Sequence, residues 1–265
     1  MAGGAVRREQ RAARVAALRG HEVEIWEKMN FLGGNAVLAA VTPWKREFRE
    51  VFEYLTRQIR KLNVRVRLNT EGILDHIIDY GPDVVVLATG AIPKKMPIFE
   101  RRTINAFLAE EVLSGKAKGL VSPVCVIGGG LVGLETASFL RYYGHEVAVV
   151  EMLPEVGTDI GAINRGFWLE KISELRITVH TGIEVTDVDD GGLQVRMKGQ
   201  TCLQRMEGFS TYVVAAGYQA NNSLMQELES ERKRLPFTFI SVGDCVSPRN
   251  ALYAIHEGYQ AALAL

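Results

Sequence analysis

Residues Val124 to Glu151 read V-C-V-I-G-G-G-L-V-G-L-E-T-A-S-F-L-R-Y-Y-G-H-E-V-A-V-V-E, and they restrict the fold more than any other stretch of the chain. A short β-branched run feeds a G-x-G-x-x-G turn made by Gly128, Gly130 and Gly133. A helical stretch with Leu131 and Val132 in its first turn comes next, and a second apolar run ends on Glu151. Gly128 permits the tight strand-to-helix turn, Gly130 lets the backbone approach a pyrophosphate, and Gly133 lets helix and strand pack closely. The helix start offers free N–H groups and a positive dipole end to phosphate. Glu151 stands where a carboxylate can accept both hydroxyls of an adenine ribose. Strand, glycines, helix, strand and terminal acid in register imply a dinucleotide site.

The rest of the composition is that of an ordinary α/β chain. Of 265 residues, 47% are hydrophobic, and Lys+Arg equals Asp+Glu at 31 each. That balance leaves no global field to recruit nucleic acid or a membrane surface. The longest apolar runs, such as Val84–Thr89, are strand-sized, far below the roughly 18 residues of a membrane span. No signal peptide is visible. Cys125, Cys202 and Cys245 form no C-x-x-C pair, iron–sulfur ligand set or zinc site, so buried thiols in a reducing cytoplasm are the expectation. No metal site is expected.

The unit occurs twice. Gly20-His21-Glu22-Val23, ending its strand on Glu27, matches Gly144-His145-Glu146-Val147, ending on Glu151, at an offset of 124 residues. Projected back, Gly128 falls on Gly4, Gly130 on Val6 and Gly133 on Glu9, and the strand Val124–Ile127 projects off the front of the chain. A side chain at position 6 blocks close backbone approach, and a carboxylate at position 9 repels a pyrophosphate. The first phosphate cradle therefore reads as broken. The remainder of the first unit survives: Leu32-Gly33-Gly34-Asn35 follows Glu27, and the strand Val84–Leu87 runs into Ala88-Thr89-Gly90. The counterpart of that strand is Tyr212–Gly217, and far downstream Phe239–Val242 leads into Gly243-Asp244.

These residues together resemble the two-dinucleotide, pyridine nucleotide-disulfide oxidoreductase-like class. The combination is most similar to the C-terminal half of the dienoyl-CoA reductase, 2-enoate reductase and trimethylamine dehydrogenase family. The motifs that carry the likeness are A-A-R-V-A-A-L-R-G-H-E-V (12–23), L-A-T-G-A (87–91), V-I-G-G-G-L-V-G-L-E-T-A (126–137), V-E-M-L-P-E-V-G (150–157), A-A-G-Y (215–218), G-D-C-V-S-P-R (243–249) and A-I-H-E-G-Y (254–259). The resemblance implies an α/β fold of two Rossmann-like domains. An NAD(P) domain (105–220) is inserted into a split FAD domain (1–104 plus 221–265), whose first strand is missing. It implies that Asp244, after Gly243, meets the FAD ribitol or pyrophosphate region, that Glu27 holds the adenine ribose, and that Gly33, Gly34 and Asn35 line the pocket. Gly90 and Gly217 mark the crossings between domains, and Glu135 meets the nicotinamide carboxamide.

Two departures bear on cofactors and partners. Full-length members carry a barrel with FMN and an iron–sulfur cluster that this chain lacks, so a partner domain or subunit, or membership of an oligomer or assembly, is expected. The broken first motif puts FAD in question and leaves ADP in its place as an alternative. An acid at 151 repels a 2′-phosphate, and no arginine follows it (Met152, Leu153, Pro154), so NADH is favoured over NADPH. The expected activity is that of an FAD-dependent NAD(P)H oxidoreductase module passing hydride from NADH to flavin and on to an acceptor. The alternative is a flavin-poor nucleotide-binding subunit or a truncated remnant of a larger flavoenzyme. The basic run Arg7, Arg8, Arg11, Arg14 reads as a solvated helix face.

Overall fold

The computed structural model describes residues 5–45, 47–101, 103–249 and 251–265. The chain forms two compact units, residues 1–92 with 218–265, and residues 93–217. In chain order the first unit opens with helix α1 (Ala5–Leu18), β1 (Glu24–Glu27), α2 (Gly34–Ala39), α3 (Glu47–Lys61), β2 (Arg65–Leu68), α4 (Leu74–Tyr80), β3 (Val84–Leu87) and β4 (Ala91–Pro93). The second unit holds β5 (Ala106–Leu108), α5 (Ala109–Leu113), β6 (Val124–Ile127), α6 (Leu131–Tyr142), β7 (Val147–Val150), α7 (Ala162–Glu174), β8 (Thr178–His180), β9 (Ile183–Asp189), β10 (Gly192–Met197), β11 (Leu203–Met206) and β12 (Thr211–Val214). The chain then returns to the first unit with β13 (Tyr218–Ala220), α8 (Ser223–Glu231), β14 (Thr238–Ser241) and α9 (Ala251–Leu263).

The unit boundaries differ from the expected 104/105 and 220/221. Residues 93–104 belong with the second unit because their apolar side chains enter its core. Phe99 is buried with its ring 5.5 Å from that of Tyr212, and Met96, Ile98 and Ile104 pack on the same cluster. At the other boundary, β13 pairs with β4 rather than with any strand of the second unit.

In the second unit a five-stranded sheet runs in the order β5-β12-β6-β7-β8, all pairs parallel. Strand β6 is central, packed against α6 and, through Cys125 and Ile127, against Val188 of β9 and Leu193 and Val195 of β10. That explains its unbroken apolar run: Val124, Cys125 and Val126 are wholly buried. Burial also raises the Cys125 thiol above its ordinary range and leaves it inert. An antiparallel sheet, β11-β10-β9, completes the unit.

The first unit repeats this plan with a gap. Its turn chemistry is the same: His21 N–H donates to the Ala16 carbonyl at 3.1 Å, as His145 N–H does to Leu140 at 3.1 Å. By the same offset β1 corresponds to β7, and by sequence β3 corresponds to β12; β6 lies between those two in the second unit. Here β1 pairs only with β2, and β3 only with β14, as two separate two-stranded parallel sheets. No strand among the described residues joins them. The consequence shows in burial: Val84, at the start of β3, is 37% exposed, whereas Thr211 at the start of β12 is 0% exposed.

Helices supply the remaining core. In α3, Phe52, Leu55 and Ile59 face inward at helical spacing, with Glu47 and Glu50 in the first turn and Arg60 and Lys61 in the last, a charge order that suits the helix dipole. Helix α1 buries Ala12, Val15 and Ala16 against Ala262, with Val23 and Val86 packed alongside. Its basic residues are not a simple solvated face. The Nε atoms of Arg11 and Arg14 are shut off from solvent, and the Arg11 guanidinium lies 5.3 Å from the centre of the Tyr259 ring. Arg7 and Arg8 have no described side chains. Among the described residues, no helix is long and apolar enough to cross a membrane.

Candidate functional site

The glycine turn of the second unit is built by contact as well as by conformation. Gly128 has φ 108°, a left-handed backbone that side chains resist, and a Cβ there would lie 2.9 Å from the Ala215 carbonyl carbon and nearer still to its oxygen. A Cβ on Gly133 would lie 2.9 Å from the carbonyl carbon of Gly128 and collide with its oxygen, so α6 packs directly on the turn. Gly130 precedes α6 as its N-cap and makes no side-chain cap of its own. The carbonyl of Val132, the second residue of α6, accepts the Thr136 hydroxyl at 2.7 Å.

Glu151 lies against this turn. It is 8% exposed; one carboxylate oxygen accepts the Gly129 N–H at 2.5 Å and the other the Leu153 N–H at 2.7 Å. Two backbone donors orient the carboxylate beside the mouth of the cradle, and each oxygen keeps a further lone pair. Glu135 is 2% exposed on α6, flanked in sequence by the buried Leu134 and Thr136. Gly217 is exposed, with φ 91°, and its carbonyl accepts the Lys94 N–H at 2.9 Å.

One residue of this site escaped the sequence analysis. Asp159 places both carboxylate oxygens 3.1 Å from the Leu131 N–H, the first donor of α6. It also packs against Gly130, where a Cβ would meet its oxygen at 3.0 Å. No spacing signal connects positions 131 and 159.

In the first unit Glu27 repeats the role of Glu151 in part. Its oxygen accepts the Met29 N–H at 2.8 Å, the counterpart of the Glu151–Leu153 bond, and it is 8% exposed. Burial raises its pKa, with the Met29 N–H and the Lys28 charge opposing. Gly33 and Gly34 carry positive φ and bring the chain round into α2, where Asn35 lies in the first turn. Ala88, Thr89 and Gly90 leave β3 for β4; the Thr89 hydroxyl donates to the Asn221 carbonyl at 2.6 Å, and Asn221 N–H to the Gly90 carbonyl at 3.0 Å. Asp244 follows Gly243 in a single 3-10 turn, is 1% exposed, and accepts the Arg249 N–H at 2.8 Å. Glu257, in the A-I-H-E-G-Y segment, likewise has no spacing signal linking it to Gly243. From α9 it accepts the Gly243 N–H at 2.7 Å and pairs with Arg249, so it braces the Gly-Asp turn.

Comparison with known proteins follows the same lines. Residues 10–236 match the family model described as pyridine nucleotide-disulphide oxidoreductase. The chain is 32% identical over 254 residues to a cinnamate reductase of Clostridium sporogenes, covering 95% of this chain and 37% of that protein. It is 32% identical over 255 residues to an NADH oxidase of Thermoanaerobacter brockii, again covering 95% of this chain and 38% of the relative.

The chain belongs to the pyridine nucleotide-disulphide oxidoreductase family.

Within that family it corresponds to the FAD- and NAD-binding half of the enoate reductase-like enzymes, as its motifs indicate. A solved 2-naphthoyl-CoA reductase complex superimposes with a TM-score of 0.90 at 30% identity, covering 99% of this chain and 39% of that one. The chain thus spans well under half the length of these relatives. The family is one of FAD/NAD-dependent oxidoreductases.

The two units differ in how well their residues suit a dinucleotide. In the second unit the fit is good, since the cradle formed by Gly128 and Gly133 is one that any Cβ would fill. In the first unit the residues do not suit a pyrophosphate. At the register of Gly133 the first unit presents Glu9, and one oxygen of that carboxyl is shut off from solvent with no hydrogen-bond partner. Burial, with a further push from the Glu27 charge, raises the Glu9 pKa well above the carboxylate range. Gly4, the projected counterpart of Gly128, lies outside the described residues, and Val6 falls within α1.

Glu9 carries a stability prediction whose sign follows from proton linkage. Its folded pKa is raised, so its stabilising effect is complete below the unfolded value of about 4.3 and is lost as pH rises from there through the folded value. Glu9→Gln removes that penalty. The variant is expected to be more stable than the parent at pH 7 by on the order of 1 kcal/mol, with the difference vanishing below about pH 4. Chemical denaturation at pH 3.5, 5 and 7 checks this; a gap that stays constant with pH would exclude it.

Proposed function

We propose that this chain is the NADH-docking module of a flavin-dependent oxidoreductase. The observation that carries the reading is the glycine cradle of the second unit with the Glu151 carboxylate held at its mouth by Gly129 and Leu153. In this reading the N–H groups at the start of α6 hold the pyrophosphate, and Leu131, Val132 and Gly133 present the helix end to it. Glu151 accepts the adenine-ribose hydroxyls and disfavours a 2′-phosphate, so NADH is preferred over NADPH. Glu135 orients the nicotinamide carboxamide, and Gly217 lets the chain leave the domain beside the nucleotide. A relative named NADH oxidase supports the choice of nucleotide.

The family's flavin would supply a two-electron acceptor. The first-unit residues that would hold it are Glu27, Gly33, Gly34, Asn35, Ala88, Thr89, Gly90, Gly243 and Asp244. Its pyrophosphate finds no cradle among the described residues. The onward acceptor is a partner domain or subunit of the kind that the longer relatives have room for. Glu9 favours a second reading: a nucleotide-binding subunit with little or no flavin, with ADP on the first unit.

Titration calorimetry with NADH and NADPH tests the leading reading, with Glu151→Gln as the variant. The parent is expected to prefer NADH by about tenfold or more, a difference of roughly 1.4 kcal/mol. Glu151→Gln should lose most of that preference while its melting temperature falls by only a few degrees. Equal affinity of the parent for both nucleotides would overturn the assignment of Glu151.

A further inference from the structure

The glycine cradle of the second unit already holds an anion belonging to the protein. Both oxygens of Asp159 face the Leu131 N–H at 3.1 Å, and the carboxylate packs on Gly130, the glycine whose bare backbone a pyrophosphate must approach. The loop that carries it is fastened close by. Gly157 N–H donates to the Gly129 carbonyl at 2.7 Å, Val156 packs on Gly129, and Arg165 at the start of α7 holds the Val156 carbonyl at 2.9 Å and the Glu155 carboxylate at 2.6 Å. Asp159 itself is solvent-exposed, so its side chain is free to turn outward while these backbone anchors stay in place.

A carboxylate at a helix N-terminus is stabilised by the free N–H groups and the dipole, as a phosphate would be. The same charge is repulsive toward a dinucleotide pyrophosphate brought within a few ångströms. The two anions therefore compete for one donor set. We infer that Asp159 is an internal stand-in for the pyrophosphate: it caps α6 when the site is free, and it must be displaced for a dinucleotide to bind, which sets the affinity. This rests on the reading that the second unit binds NADH. It adds to that reading a residue, 28 positions beyond the first residue of the helix it caps, that tunes how tightly the nucleotide is held.

The test combines binding and melting on the full chain. Asp159→Ala should bind NADH about five- to tenfold more tightly than the parent, with the larger gain at low ionic strength, where the lost repulsion is least screened. Without nucleotide the variant should melt a few degrees lower, because the helix has lost its cap, and saturating NADH should close that gap. Asp159→Asn, nearly isosteric and uncharged, should give an intermediate gain and guards against a folding defect in the alanine variant. Unchanged or weaker NADH binding by both variants, with the parent binding normally, would show that Asp159 does not compete and would overturn the inference. If the parent and both variants melt cooperatively and none binds millimolar NADH, the second-unit assignment itself fails and takes this inference with it.

Discussion

Gly133→Ala is expected to abolish NADH binding and to destabilise the second unit by about 3 kcal/mol or more, the range of substitutions that force a packed backbone apart. A Cβ on Gly133 would sit 2.9 Å from the Gly128 carbonyl carbon and overlap its oxygen. Both atoms are backbone, so no side-chain rotation relieves the clash, and α6 must lift from the turn. Lifting it separates the Leu131 N–H from the Gly128 turn, and the proposed phosphate donors and the proposed ribose acid Glu151 lose their common frame. The helix cannot yield at small cost, because Leu134, Ala137 and Leu140 are almost wholly buried along it. Thermal melting followed by near-ultraviolet circular dichroism, with NADH calorimetry alongside, checks this. A variant within 1 kcal/mol of the parent that binds NADH normally would mean that the contact is slack.

The second large effect is a gain. Placing a copy of residues 123–133 ahead of Gln10, in exchange for residues 1–9, supplies a β-branched strand, a complete glycine turn and a glycine in place of Glu9. In the second unit that strand, β6, pairs with β7 on one side and β12 on the other. The grafted strand should pair likewise with β1 and β3, joining two two-stranded sheets into one and covering Val84. Covering apolar surface contributes roughly 25 cal/mol per Å², so a single central strand is worth several kcal/mol. The grafted chain is expected to melt at least 10 °C higher and to acquire flavin absorbance near ~450 nm on incubation with FAD. A grafted chain that is more stable but stays colourless would assign the first unit to a nucleotide other than FAD. A grafted chain with unchanged stability would overturn the placement of the gap between β1 and β3.

Much of this molecule was legible before any coordinates. The β–α–β unit at 124–151 is local: its strand, turn and helix are written in consecutive residues, and the glycines at 128 and 133 are demanded by backbone contacts around the turn. The repeat at Gly20 and Gly144 was equally plain, because the same loop closes the same way in both units, down to the hydrogen bonds of His21 and His145. Projecting one unit on the other also places Glu9 at the register of Gly133.

What the tertiary structure alone decided lies across distance in the chain. Phe99 and its neighbours join the second unit because they pack into its core beside Tyr212, a contact that spans 113 positions and leaves no periodic trace. Glu257 braces Gly243 from a different element. Asp159 reaches the head of α6 only because the loop after β7 folds back over the glycine turn. Propensity and glycine geometry act between near neighbours and can be read from order alone. Burial and charge act through space, so the carboxyl trapped at Glu9 and the Asp159 carboxylate at the head of α6 become visible only once the chain has closed on itself.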